Sequence, residues 1–192
     1  MARVMKTAAL VCTALFVLFA AAARCFEAAF WLPLAITFGT AAYHLLMRFA
    51  VGCTVNALMH NRADVTKRRY RCHPFEAKLY RLLGVKRWKA ALPSYDPSLF
   101  STAQHSWPEI AQAMCQAETV HSIIAVLSFV PLLFSLRWGA FGVFLVTSVL
   151  SAGFDMMFVI MQRYNRPRVL RMAQRTQKKN AAACGGMPCQ DP

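Results

Sequence analysis

A carboxylate and an imidazole stand three residues apart at Glu118 and His121, directly before the apolar run Ser122–Leu136. Residues three apart share one face of a helix. Histidine is the natural general base near neutral pH, and an adjacent carboxylate can orient its ring and stabilise the imidazolium. The pair therefore predicts proton abstraction from a hydroxyl at the mouth of a membrane span, with His121 as the base and Glu118 as its partner.

Three more ionisable side chains lie within apolar stretches. His44 and Arg48 are four residues apart in one stretch, and Asp155 lies in another. Ionisable groups inside a membrane are costly, and they usually face a bundle interior or an aqueous cavity. We expect these three to meet Glu118 and His121 in one polar pocket. The alternatives are that Arg48 reaches lipid phosphate beside a packed His44, or that the whole set is an interhelical network that fixes packing.

Two basic motifs, Lys86-Arg87-Trp88-Lys89 and Gln162-Arg163-Tyr164-Asn165-Arg166-Pro167-Arg168, flank these stretches. Arginine forks bind phosphate or carboxylate in bidentate fashion. We expect the cations to hold the phosphates of a nucleotide-bearing acyl thioester, which the activated hydroxyl would attack as co-substrate. A plain stop-transfer cluster is the alternative for the second motif. The predicted ring of cations consists of Arg87, Lys89, Arg163, Arg166 and Arg168.

Apolar and basic blocks alternate along the 192 residues, of which 57% are hydrophobic although the formal net charge is +14. This combination is typical of an integral membrane protein. Four apolar stretches can form helices that cross about 30 Å of hydrocarbon. The first stretch is short and basic at its start, so a signal peptide is its alternative interpretation. The stretches are Thr7–Ala23, Ala28–Met47, Thr119–Leu136 and Trp138–Met161.

The charges predict the orientation of the four helices. Residues 60–115 hold ten Lys/Arg against four acids, and residues 163–192 hold seven against one. The positive-inside rule puts both basic segments in the cytoplasm. We therefore predict an all-α membrane protein with four transmembrane helices in two hairpins, both termini cytoplasmic, and a cytoplasmic amphipathic segment between spans two and three. The predicted divisions are 1–59, 60–105 and 106–178, followed by a disordered tail over 179–192.

The amphipathic segment starts at Pro74 and stops at Gly84, residues that suit a helix start and a helix end. Its apolar stripe would lie on the membrane surface, with Glu76 outside that stripe. A soluble helix covering the end of the bundle is a compatible alternative. The stripe consists of Phe75, Leu79, Leu82 and Leu83.

Partners and cofactors follow from composition. The Lys/Arg residues flank apolar spans, so topology and anionic phospholipid account for them without nucleic acid. The seven cysteines form neither a disulfide framework nor a zinc spacing. We expect no bound cofactor or metal. We expect the substrate to be a membrane lipid or glycolipid, and a homo-oligomer is left open.

Three motifs occur in an order that suggests a family: the Lys86–Lys89 run before a Leu-Pro, Ala117-Glu118-x-x-His121, and the run Gln162–Arg168. Over roughly Tyr80 to Leu170 the chain resembles the glycosyl-4,4'-diaponeurosporenoate acyltransferases of bacterial carotenoid synthesis. The resemblance implies a bacterial plasma-membrane enzyme that moves a fatty acyl group onto a sugar hydroxyl of a lipid-linked glycoside. It implies site roles for Glu118, His121, Gln162, Arg163, Asn165 and Arg168.

The chain departs from that family pattern at two positions within or beside the predicted pocket. Ala113 stands where the pattern has Glu, and Asp155 stands where it has Asn. The acyl acceptor is therefore left open. Two other functions also remain: a membrane transporter or assembly subunit without catalysis, and a metal-dependent lipid enzyme. The ligands of that enzyme would be His44, Glu118, His121 and Asp155, although no compact metal motif is present.

Overall fold

The computed structural model of the chain describes residues 2–92 and 97–184, and those ranges contain helices and turns but no strand. The prediction of an all-α protein is therefore confirmed. The α-helices are α1 (Ala2–Cys25), α2 (Trp31–Met59), α3 (Pro74–Leu82), α4 (Val85–Trp88), α5 (Trp107–Leu127), α6 (Ser135–Trp138) and α7 (Phe141–Cys184). Short 3₁₀ turns cover Arg68–Tyr70, Lys89–Ala91, Pro97–Phe100 and Val130–Phe134.

Four helical segments are long and apolar enough to cross a membrane. The first is longer than the predicted Thr7–Ala23, because the basic residues before Thr7 join α1. Length and composition make the chain compatible with a multi-pass membrane protein. The grouping of the spans into hairpins, the orientation of the termini and the cytoplasmic position of residues 60–105 stay predictions. The four segments are Arg3–Cys25, Trp31–Met59, Trp107–Trp138 and Phe141–Ala182.

Local sequence signals set several helix ends. The Glu109 carboxylate accepts hydrogen bonds from the Ser106 backbone N–H at 2.7 Å and from its hydroxyl at 2.8 Å, which satisfies donors at the start of α5. Gly84 has a φ of +60°, a left-handed conformation that suits glycine and ends the α3 turn. Pro131 follows the end of α5, where the chain changes to a 3₁₀ turn.

The sequence predicts that the last span ends or kinks at Pro167, because a proline cannot donate to the helical hydrogen-bond ladder. Pro167 does not end α7. The helix continues through the proline to Cys184. A proline leaves the carbonyl four residues earlier without its usual N–H donor. Here that carbonyl belongs to Arg163, and the Cys72 thiol donates to it at 3.7 Å. The helix includes residues 179–184 of the predicted disordered tail, and residues 185–192 lie outside the described part, so the tail stays a prediction.

The chain divides into two compact units. The first comprises residues 2–60 and 119–159, thus α1, α2, α6 and parts of α5 and α7. Its apolar centre joins Met47, Val51 and Val55 of α2 to Ile124 of α5. The α1 helix packs on α2 through aromatic rings, with Phe19 5.4 Å from the Phe38 ring, while much of its apolar surface stays exposed. Such exposure fits a lipid-facing surface.

The second unit comprises residues 61–92, 97–118 and 160–184. Its buried side chains come from the α3–α4 segment, the first half of α5 and the second half of α7. The Asn61 backbone N–H donates to the Gln116 side chain at 2.7 Å, which joins the linker after α2 to α5. Buried residues include Tyr70, Tyr80, Val85, Ile110, Cys115 and Arg166.

The α3 helix turns its polar face inward. Glu76 and Tyr80 are 5% and 8% exposed, whereas Phe75 and Leu82 of the apolar stripe are 62% and 85% exposed. From the sequence, Glu76 was predicted to lie outside the apolar stripe, and no buried partner was predicted for it. The difference arises because Arg163 of α7, a partly buried residue described below, compensates the carboxylate charge.

Candidate active site

The imidazole of His121 faces a carboxylate in the first unit, but that carboxylate belongs to Asp155. His121 Nδ1 lies 2.9 Å from Asp155 Oδ1. The ring also stacks on Phe158, with centroids 4.5 Å apart and planes 9° apart. Asp155 and Phe158 lie three residues apart on one face of α7. One turn of α7 therefore fixes both the direction and the plane of the His121 ring.

Arg48 of α2 completes this arrangement. One of its terminal nitrogens donates to Asp155 Oδ2 at 2.5 Å and to Ser151 Oγ at 2.9 Å, and the other donates to the His44 carbonyl at 2.8 Å. Ser151 Oγ lies 3.0 Å from Ser128 Oγ, directly after the end of α5. Three helices are thus joined by side-chain hydrogen bonds around one carboxylate, and Arg48 compensates its charge. We call His44, Arg48, His121, Ser151 and Asp155 the His121 cluster.

Burial differs among the members of the His121 cluster. The Asp155 side chain is 1% exposed, that of Arg48 is 15% exposed and that of His121 is 25% exposed. A reacting group can therefore reach the histidine but not the carboxylate. When Nδ1–H donates a hydrogen bond to Asp155, Nε2 is unprotonated and presents a lone pair. This geometry can extract a proton from a hydroxyl and hold it on a compensated imidazolium.

Two buried polar groups of the first unit have no hydrogen-bond partner in the described ranges. Both ring nitrogens of His44 and the Ser148 hydroxyl are unpaired, and His44 is 8% exposed. Ser148, Ser151 and Asp155 follow at spacings of three and four on α7, which puts them on one helix face. The first unit therefore retains unused hydrogen-bonding capacity.

Glu118 has other partners, so its predicted pairing with His121 is corrected. Arg163 donates to Glu118 Oε1 at 2.7 Å, and Arg166 donates to Oε2. Arg166 also donates to the Tyr70 carbonyl at 2.5 Å and is 1% exposed. Charge-assisted hydrogen bonds from two guanidinium groups are stronger than a hydrogen bond from a neutral His121 ring would be. Glu118 therefore pairs with the arginines although His121 is closer in sequence.

Arg163 extends this arrangement to α3. It donates to Glu76 Oε1 at 2.6 Å and Oε2 at 3.2 Å, and to the carbonyls of Arg69 and Arg71 at 3.0 and 2.9 Å. The Tyr80 hydroxyl donates to the Glu76 carboxylate, as does the His73 backbone N–H at 3.0 Å. We call Tyr70, Glu76, Tyr80, Glu118, Arg163 and Arg166 the Glu118 network.

The ionisation of α3 reflects these contacts. Burial by itself would raise the pKa of Glu76, but hydrogen bonds from Arg163, Tyr80 and the His73 backbone outweigh it and hold the pKa at about 2. Burial raises the pKa of Tyr80 well above its usual value, and the hydrogen bond to Glu76 adds to that effect. Glu76 is therefore ionised and Tyr80 neutral under physiological conditions.

The remaining predicted residues fall in the second unit. Lys89 donates to the Asn165 side chain at 2.8 Å and lies 4.8 Å from the centre of the Tyr164 ring. Arg168 donates to the Tyr164 hydroxyl at 2.7 Å, with its guanidinium 4.3 Å from the ring centre. Trp88 Nε1 donates to the Leu83 carbonyl at 2.9 Å. Gln162 is 5% exposed on α7, and Arg87 lines a surface cavity described below.

The metal-dependent alternative finds no ligand set in the described ranges. No three His, Cys, Asp or Glu side chains there are close enough together to hold a metal ion. Asp155 contacts His121, but Glu118 is held by arginines.

Several residues of both arrangements were missed by the sequence analysis. A signal for Ser151 was present, since Ser148, Ser151 and Asp155 have helical spacing within an apolar span. Glu76 and Tyr80 are also four apart, but their helix has the composition of a surface helix. Only the contacts made by Arg163 show that this face is interior.

A comparison with protein families gives one match. Residues 66–175 match the model of the CrtO family, glycosyl-4,4'-diaponeurosporenoate acyltransferase, over more than half of the chain. The chain belongs to this family. No curated protein and no solved structure matches it. The matched range of this CrtO-family chain includes His121, Asp155 and the whole second basic motif, so the family prediction made from the motifs is confirmed.

Proposed function

We propose that this CrtO-family chain is an integral membrane acyltransferase in which His121 is the general base and Asp155 positions it. The observation that carries the proposal is the 2.9 Å contact between His121 Nδ1 and Asp155 Oδ1. A base held by a carboxylate and a stacked ring is oriented before substrate arrives. The family's acyltransferase name supplies the reaction class.

The proposed reaction joins an acceptor hydroxyl to the acyl group of a thioester. His121 Nε2 takes the hydroxyl proton while the oxygen attacks the thioester carbonyl. The tetrahedral intermediate then breaks its C–S bond, and the imidazolium returns the proton to the departing thiolate. The products are an ester and a thiol, with no oxidant or metal required. Asp155 stabilises the transient imidazolium, and Arg48 keeps that carboxylate compensated in apolar surroundings.

The substrate class follows from the apolar helices and the family name. The acceptor in this proposal is a lipid or isoprenoid glycoside, with a sugar hydroxyl as the acylated group. The donor is a fatty acyl thioester, carried either by coenzyme A or by an acyl carrier protein. The enzyme would lie in a bacterial plasma membrane as a multi-pass protein with both termini in the cytoplasm.

Lipid mass spectrometry of membranes tests the reaction. Cells that supply the native host's lipids express the wild type, His121→Gln or the control His105→Gln, which lies before α5. We expect a lipid heavier by one fatty acyl group with the wild type and the control, and its loss with His121→Gln at equal membrane abundance. Identical lipid profiles for all three well-folded proteins would reject the proposal.

A non-catalytic membrane protein, such as a transporter or assembly subunit, is the second candidate. One observation favours it: the pairing of Arg48 with Asp155 and of Asp155 with His121 ties three helices together as an interhelical network would. In that case His121→Gln would lower the amount of folded protein and change no lipid. The same membranes therefore discriminate the two functions when protein abundance is measured beside the lipids.

A further inference from the structure

We propose that a cavity in the second unit binds a phosphate or diphosphate group. The cavity has a volume of about 710 Å³ and lies among residues of α3, α4 and α7. This volume falls within the range of pockets that hold small ligands. The lining cations that form no ion pair within residues 2–92 and 97–184 are Arg81, Lys86, Arg87, Arg168 and Arg171.

The charge of this cavity is not balanced by the protein. Glu76 is the one acid among the described residues that line it. Both Glu76 oxygens already accept hydrogen bonds from Arg163, whose positive charge Glu76 and Glu118 compensate. None of the five lining cations forms an ion pair with a carboxylate in residues 2–92 and 97–184. Five like charges in one concavity repel each other, and a multivalent anion would relieve that repulsion.

Two of the cations are held in place before any ligand arrives. Arg168 is fixed against the Tyr164 ring and its hydroxyl. Arg171 donates through Nε to the Pro167 carbonyl at 3.2 Å, which leaves its terminal nitrogens available. Both residues lie one turn apart on α7, so their guanidinium groups rise from one helix face. Oriented guanidinium groups favour the bidentate hydrogen bonds that phosphate accepts.

Isolated surface cations are usually only solvated, and all five are exposed at least in part. This group differs because it lines a concave wall in which the acid is fully engaged. A single carboxylate would leave most of the positive charge uncompensated, whereas a diphosphate carries enough negative charge to offset more than half of it. The chemistry that fits best is therefore a phosphate-rich group.

Two sources can supply that group: the nucleotide of an acyl thioester donor, or the headgroup of an anionic phospholipid. Only the nucleotide source rests on the proposed acyl transfer, because the phosphate chemistry is argued from the cavity itself. Exposed Phe75 and Leu82 on α3 would suit a cavity that lies at the level of lipid headgroups. The two sources are separated by the experiment.

The test uses the full chain in phosphatidylcholine nanodiscs. Pyrophosphate and coenzyme A are titrated by calorimetry into the wild type and into the double variant Lys86→Gln/Arg87→Gln, whose exposed side chains make no hydrogen bond or ion pair within the part of the chain that the structure describes. The matched control is Arg175→Gln/Lys178→Gln, which removes the same charge from exposed positions of α7 outside the cavity. A second set of nanodiscs contains phosphatidylglycerol, and native mass spectrometry counts the retained lipid.

We expect pyrophosphate or coenzyme A to bind the wild type and the control equally, and the cavity variant at least tenfold more weakly. That result supports the phosphate site and assigns it to a soluble nucleotide. Retention of phosphatidylglycerol by the wild type and control but not by the cavity variant, without binding of either soluble probe, supports the site and assigns it to a lipid headgroup. Equal weakening in both double variants, or no binding of any probe, overturns the proposal. Because no turnover is measured, that failure would leave acyl transfer untouched.

Discussion

The His121 cluster and the Glu118 network are both built from buried ionisable residues, but they differ in how completely their hydrogen bonds are satisfied. In the Glu118 network, each oxygen of Glu76 and Glu118 accepts at least one hydrogen bond, and Arg163 donates to two carboxylates and two carbonyls. In the His121 cluster, neither His44 nitrogen has a hydrogen-bond partner among the described residues, and the His121 side chain is 25% exposed.

This difference indicates different roles. A saturated network has no capacity left for a ligand, and the loss of one member exposes the full cost of a buried charge. A cluster with an oriented base and unpaired polar atoms can still bind a substrate hydroxyl. We therefore propose a structural role for the Glu118 network and a catalytic role for the His121 cluster.

The largest expected effect is on folding, from Arg166→Met. The change removes one of the two arginines that hold Glu118 and the hydrogen bond that Arg166 donates to the Tyr70 carbonyl, which should cost about 3–5 kcal/mol of stability. Thermal unfolding in detergent measures the loss, with exposed Arg175→Met as the control. The double change Arg166→Met/Glu118→Met should recover part of the stability, since it also removes the carboxylate that has lost one of its two arginines. If Arg166→Met had the same melting temperature as the wild type, the structural role of the Glu118 network would be contradicted.

The next effect is on catalysis, from Asp155→Asn. The asparagine side-chain oxygen can still accept a hydrogen bond from His121 Nδ1–H. It carries no negative charge, however, so it can neither stabilise an imidazolium nor form an ion pair with Arg48. We expect the acyl-transfer rate to fall about a hundredfold, or about 3 kcal/mol in the barrier. Product formation per mole of folded protein is the measurement. Glu109→Gln, the same type of change at an exposed helix start, should retain the wild-type rate. An Asp155→Asn enzyme as fast as the wild type would remove Asp155 from the mechanism.

The smallest effect is a pH dependence in the Glu118 network. The pKa of Glu76 is about 2 in the folded chain and 4.5 in its reference state, so the folded state favours the carboxylate. Its contribution is fully present above pH 4.5 and is lost as the pH falls towards 2. With allowance for solvent screening it amounts to about 2 kcal/mol. The melting temperatures of wild type and Glu76→Gln should differ at pH 7 and converge below pH 4.5. A gap that stays constant down to pH 3 would argue against this contribution.

Much of the fold could be predicted from sequence because its signals are local. The apolar stretches predicted four long helices, and Pro74 and Gly84 predicted the start and the end of α3 by their own backbone chemistry. Pro167 misled one prediction because the loss of an N–H inside a helix was offset by a thiol 91 residues away along the chain. No local pattern contains that contact.

The candidate site shows the same limit. The residue types of His44, Arg48, His121 and Asp155 inside apolar stretches identified them as functional candidates. The partners were decided by competition across the chain: arginines of α7 hold Glu118, and Asp155 contacts His121. Glu76 was missed because α3 has one apolar and one polar face, and its sequence alone does not show which of the two is buried.

The length of α7 has a practical consequence. At 1.5 Å per residue its 44 residues have a contour length of about 66 Å, roughly twice the thickness of bilayer hydrocarbon. If α7 crosses a membrane, about half of it must stand in headgroups or water. The half after Arg163 carries only basic charges through Cys184. This basic half would separate the last apolar turn from the end of α7 by about 30 Å along the helix axis. A reporter fused after α7 would stand at that distance from the last apolar turn.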